Sequence, residues 1–222
     1  RFNVKILTPI IALYFLVIFP STHLVFSGNR FIYEFGFLFY FALVLAIALS
    51  SKRVSLLQLG FSKNNTGKPI RTGLLLGMLP VVSVILLDSL IVKTGLSQSE
   101  LLTGADLRNP EQMGFYMSPA GNVFSALVVP FLDQVFVMGL IVNNLFTKEN
   151  TGRTIISGGL LYSLFHFRLS IGNLFLGMIS AGLLKGTGSI LVPILMHIGF
   201  AMAEFAIVFY YPRLLSILVF FV

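Results

Sequence analysis

Cysteine and tryptophan are both absent from this 222-residue chain, and acidic side chains number only eight. Without cysteine there is no disulfide framework and no thiolate-ligated metal or cluster. That absence says little about compartment, because membrane proteins of any location can lack cysteine. Without tryptophan, any aromatic belt at a membrane surface has to come from the 23 Phe and 7 Tyr. Charge as a whole is scarce: 10% of residues, against 56% hydrophobic. Soluble domains carry about 25% charged residues. A water-surrounded chain of this composition would expose much of its apolar surface, whereas lipid tolerates an apolar exterior. The composition therefore implies an integral membrane protein. The net charge of +7 reads as topology-setting charge beside anionic lipid, and nucleic acid is excluded as a partner.

Apolar stretches near the ~20 residues needed to cross a bilayer recur along the chain. They run from about Val4 to Pro20, Phe31 to Ser50, Ile70 to Val92, Asn122 to Phe146 and Ile190 to Tyr211. Two shorter runs cover Thr154 to Phe167 and Ile171 to Leu184, and Arg213 to Val222 reads as the start of another helix. The expectation is an all-α polytopic bundle of about eight transmembrane helices in a single membrane domain. Its parts are N-terminal helices and loops over 1–120, a core over 121–211, and a further helix beginning at 212–222. The first run has no small-x-small cleavage site after it and so does not read as a signal peptide. With Arg1 at one end and an apolar run at the other, both ends read as trimmed.

Basic residues orient the bundle. With the N-terminus inside, Arg1, Lys5, Lys52, Arg53, Lys63, Lys68, Arg71, Lys148, Arg153 and Lys185 share the inner side. Arg30, Lys93, Arg108, Arg168 and Arg213 fall outside, together with the acidic loop carrying Glu100, Asp106 and Glu111. The small-xxx-small pairs Gly73/Gly77, Gly177/Ala181 and Gly182/Gly186 mark helix surfaces built for close approach.

Ionisable groups at membrane depth cost roughly 2.5–3.5 kcal/mol each, so their presence is a functional signal by default. Asp133 and Gln134, His166, His197 and Glu204 stand out. His197 and Glu204 are two turns apart on one helix face, and Glu204 is expected to meet another helix or a polar cavity. His23 reads as a surface residue of the first loop. Ser163, three residues before His166, lacks the separate elements a serine triad uses. The plain alternatives are that Asp133 pairs with a histidine or caps a broken helix, and that both histidines tie helices together. One carboxylate with two histidines is also a known metal ligand set. The sequence names no cofactor, and leaves open a lipid or pigment inside the bundle.

Three strings carry a resemblance: Asp133-Gln134-Val135-Phe136-Val137-Met138, then Tyr162-Ser163-Leu164-Phe165-His166, then His197-Ile198-Gly199-Phe200-Ala201. Their order, and the linking Gly186-Thr187-Gly188-Ser189-Ile190-Leu191-Val192-Pro193-Ile194, resemble the CPBP family of CAAX-processing and bacteriocin-processing (Abi-type) intramembrane proteases. The family motifs are Glu-Glu-x-x-x-Arg, Phe-x-x-x-His and His-x-x-x-Asn or Asp. The resemblance implies catalytic-equivalent positions at Asp133, Gln134, His166 and His197. Such a site activates water with a carboxylate and a histidine and stabilises an oxyanion with a polar donor.

Against that pattern the first Glu is Asp133, the second is Gln134, the Arg is Met138 and the final Asn or Asp is Ala201. Tyr162 in place of Phe is a mild change. Gln134 cannot act as a base and Met138 cannot pair with an acid. Their joint loss of charge is coherent, since an unpaired buried Arg is costly. The resemblance with these losses implies a degenerate member, a scaffold or accessory subunit working with other integral membrane subunits and lipid in a prokaryotic plasma membrane. The alternative is an active endopeptidase using Asp133, His166 and His197. A small transporter is a third reading, with no clear inverted repeat to support it.

Overall fold

The computed structural model describes residues 4–61, 66–94, 119–167, 170–211 and 214. These residues form helices α1 (Leu7–Val25), α2 (Arg30–Ser50), α3 (Gly67–Lys93), α4 (Ala120–Leu145), α5 (Thr151–Phe165), α6 (Ile171–Thr187) and α7 (Leu191–Tyr210). Among the described residues there is no strand. The expected all-helical membrane bundle is what forms, with its helices where the apolar runs lie. Three helices, α1, α3 and α4, are long and apolar enough to cross a membrane. Phe35–Ser50 of α2 and Leu191–Ile207 of α7 are shorter apolar segments. Helices α5 and α6 have 15 and 17 residues, roughly 22 and 26 Å at 1.5 Å per residue, short of a ~30 Å hydrocarbon layer. About eight full crossings are therefore not established. The eighth helix expected from Arg213 lies outside the described residues apart from Leu214, as does most of the acidic loop between α3 and α4.

Local chemistry sets the helix ends. Asn29, Asn150 and Ser170 each accept a hydrogen bond from the backbone N–H three residues on, opening α2, α5 and α6. Gly188 closes α6 in the left-handed conformation (φ 66°), its N–H donating to the Leu184 carbonyl at 2.8 Å. Prolines loosen the longer helices. Pro20 separates two π-wound turns of α1, Tyr14–Ile18 and Ser21–Val25. Pro130 sits between the π-wound turns Phe124–Val128 and Gln134–Val142 of α4. A proline lacks the N–H and crowds the carbonyl a turn earlier, so the surrounding helix widens. The first helix thus runs past Pro20 and takes in His23, which belongs to a helix and not to the loop expected from the sequence. His23 Nδ1 lies 3.0 Å from Thr22 Oγ1 and 3.1 Å from the Phe19 carbonyl.

Helix α4 is the centre of the bundle, since all nine residues from Gln134 to Val142 are buried. Phe136 stacks on Phe41 of α2 with ring centroids 3.9 Å apart, and Phe165 and Tyr14 complete the aromatic column. Glycines set the two tightest crossings. A Cβ on Gly199 of α7 would stand 2.0 Å from the Gly77 carbonyl oxygen of α3, so only glycine fits. A Cβ on Gly158 would reach Ala181 at 2.4 Å, and one on Gly177 would reach Tyr162 at 2.5 Å. Gly73/Gly77 and Gly177/Ala181 are therefore contact surfaces as expected. Gly186 is a correction: a Cβ there meets nothing within 4 Å, because it lies at the end of α6 beyond the crossing. Partners of these contact surfaces across the crossings include Gly158, Gly159 and Gly199.

Candidate functional site

Three helices deliver the polar groups. Asp133 and Gln134 are consecutive on α4 and fully buried. Tyr162 and His166 are one turn apart at the end of α5, and His197 lies in the first half of α7. All four sequence-predicted positions, Asp133, Gln134, His166 and His197, come together. Asp133 Oδ1 is 3.2 Å from His166 Nε2, and Asp133 Oδ2 is 3.8 Å from His197 Nδ1. Gln134 Nε2 lies 3.2 Å from His197 Nδ1. The histidines form the only partly open edge of the cluster, with side chains 18% and 14% exposed.

The residue that sequence reasoning undervalued is Tyr162. Its hydroxyl donates to Asp133 Oδ2 in a short hydrogen bond, so the change from Phe adds a direct partner for the carboxylate. The signal was a hydroxyl appearing at a motif position that is otherwise hydrocarbon. Tyr162 also contributes its carbonyl, which accepts from His166 Nδ1 at 2.8 Å. The His166 backbone N–H donates to the same carbonyl at 3.3 Å, so the ring nitrogen is a second donor at the end of the helix. With Nδ1–H so committed, the Nε2–Oδ1 contact needs one proton between the ring and the carboxylate.

His197 is set by its neighbour in the same way. The Gln134 amide donates to Nδ1, which makes Nδ1 an acceptor and places the N–H of a neutral ring on Nε2. A carboxylate at position 134 could only accept from that nitrogen, whereas the Gln134 amide nitrogen can only donate to it. At 3.8 Å the Asp133–His197 approach is too long for a hydrogen bond. Met138, one turn along α4, is fully buried in the apolar core. Ala201, one turn beyond His197, adds no polar atom.

Other candidates fall outside this cluster. Ser163 is fully buried, and its hydroxyl has no hydrogen-bond partner among the described residues. Glu204 lies on the exposed side of α7, since the buried face there is occupied by Ala203 and Ile207 against Val84 of α3. Among the described residues no group of three or more His, Cys, Asp or Glu is arranged to hold a metal ion.

A buried carboxylate and two histidines, brought from three helices of a membrane bundle to one point, define the class: a polytopic helical membrane protein with an intramembrane acid–histidine site. Residues 117–203 match the family model described as type II CAAX prenyl endopeptidase Rce1-like. The match covers all three motifs and supports the resemblance of this segment to the CPBP family. No curated protein and no solved structure matches the chain.

Proposed function

We propose that the chain is a non-catalytic CPBP protein, a scaffold or accessory subunit that binds other integral membrane proteins, in a prokaryotic plasma membrane. The observation that supports this reading is how the site's proton acceptors are used. Asp133 Oδ2 is held by the Tyr162 hydroxyl, Asp133 Oδ1 faces His166, and His197 Nδ1 accepts from Gln134. A hydrolytic water needs a free acceptor to take its proton and a donor for the oxyanion. Here Tyr162 holds one carboxylate oxygen and Gln134 holds His197 Nδ1, which leaves the Asp133 Oδ1–His166 Nε2 pair as the acceptor facing the cluster's open edge, and Ala201 supplies no donor. The cluster instead ties α4, α5 and α7 together. A peptide-cleavage assay on prenylated and leader peptides, run beside His166→Ala and His197→Ala, tests the reading. The expected result is background cleavage for all three, with the unmodified protein copurifying with other subunits in fixed stoichiometry.

The second reading, an active endopeptidase using Asp133, His166 and His197, draws on the convergence of those three side chains. Cleavage by the unmodified protein that vanishes in both histidine variants would establish it and remove the first.

A further inference from the structure

The stretch after α2, Ser51–Phe61, is a turn held by backbone and side-chain hydrogen bonds. Arg53 N–H and Val54 N–H both donate to the Ala48 carbonyl, at 3.1 and 3.2 Å. Ser55 and Gln58 cap each other: the Ser55 N–H donates to Gln58 Oε1 at 2.8 Å, and Ser55 Oγ accepts from the Gln58 N–H at 3.3 Å. The Gln58 carbonyl accepts from Asn143 Nδ2 of α4 at 3.0 Å, and the Gly60 carbonyl accepts from the Ile190 N–H at 2.9 Å. Gly60 has φ 92°, and a Cβ there would press on Leu184 and Ile190 within 3.2 Å. Among the described apolar side chains of this turn, Val54 and Leu59 are buried, whereas Leu56 and Leu57 are 54% and 67% exposed. Lys52 and Arg53, immediately before them, are exposed as well.

We infer that this turn is a membrane-surface anchor: Leu56 and Leu57 enter the acyl boundary of the leaflet while Lys52 and Arg53 hold anionic lipid headgroups. Apolar side chains beside basic ones are what an interfacial element presents to such a leaflet. A protein partner fits less well, because two leucines make far less than the ~1,000 Å² a specific interface needs. The anchored backbone means that the leucines do not fold back into the bundle, so lipid is the apolar phase left to them. This inference is independent of whether the chain is catalytic.

The absence of cysteine makes the test direct. Leu57→Cys carries a bimane label in protein reconstituted in nanodiscs. Quenching by lipids brominated near the headgroup, with little quenching by aqueous iodide, is expected. A parallel measurement uses spin-labelled phosphatidylglycerol against spin-labelled phosphatidylcholine. The Lys52→Gln/Arg53→Gln double variant should lose local preference for the anionic lipid, roughly fivefold per charge removed. Free iodide quenching, an unchanged lipid preference, or shielding seen in native membranes but not in pure lipid would each overturn the proposal, the last in favour of a protein partner.

Discussion

Tyr162 is where a single atom changes the site. Its hydroxyl is the donor for one oxygen of a fully buried carboxylate, and Tyr162→Phe restores the family's residue at the cost of that donor. A buried polar group left unsatisfied costs about 1–3 kcal/mol, more when charged. The variant is expected to fall in thermal stability by at least this range in detergent micelles; an unchanged unfolding midpoint would show that Asp133 does not depend on Tyr162. Position 138 tests the opposite case. Met138→Arg places an unpaired cation in the apolar core, with an expected loss of about 3 kcal/mol or more. Adding Gln134→Glu should recover part of that loss, because the two positions then regain opposite charges a turn apart. A double-mutant cycle showing no coupling would mean that the two sites drifted independently.

Helix α3 illustrates what one residue type does for an element. Its packed face is the side toward α7, carrying Gly73 and Gly77 against Leu195 and Gly199 and, further along, Val84 against Ala203 and Ile207. Much of the rest of its surface, including Leu74, Leu75, Met78 and Leu79, is exposed and suited to lipid. Close packing is what such a glycine-lined face contributes in the bilayer, since lipid is as apolar as leucine. Gly199→Ala should force the backbones apart and lower the unfolding midpoint, whereas Gly186→Ala, with open space around it, should leave the midpoint unchanged or raise it slightly through helix propensity. Equal effects from the two substitutions would contradict the crossing.

Among the described residues, one end of the bundle is tied by several links. The turn after α2, the link from α4 to α5 and the link from α6 to α7 meet there. Lys185 Nζ donates to the carbonyls of Phe146 and Thr147 at 3.3 and 3.1 Å, closing the C-terminal end of α4. Lys52, Arg53, Lys148 and Lys185 therefore gather at one end of the bundle, the arrangement the charge bias anticipates for a cytoplasmic face. Cysteine placed at Asn64 should react with an impermeant reagent only after the membrane is opened, and cysteine at Asn122 should react in intact cells. Labelling of Asn64→Cys from outside would invert the assignment.

Helix positions were legible in the sequence because lipid imposes a simple rule: backbone polar groups must pair within each segment, so long apolar runs become helices. The three motifs were legible because a polar residue at membrane depth is rare enough to stand out. What the sequence left open were the pairings across space. Tyr162 looked like a neutral change until its ring was placed beside Asp133. Glu204 shares a helix face with His197 by spacing, yet the turn at Ala203 and Ile207 is committed to α3 and leaves Glu204 exposed. Gly158 and Gly199 matter only because another backbone crosses at their height. The sequence by itself determined that this is a helical membrane protein and singled out the acid and the histidines that meet inside it. The tertiary structure decided which oxygen each donor takes, because hydrogen-bond partners depend on distances of a few tenths of an ångström between helices far apart in the chain.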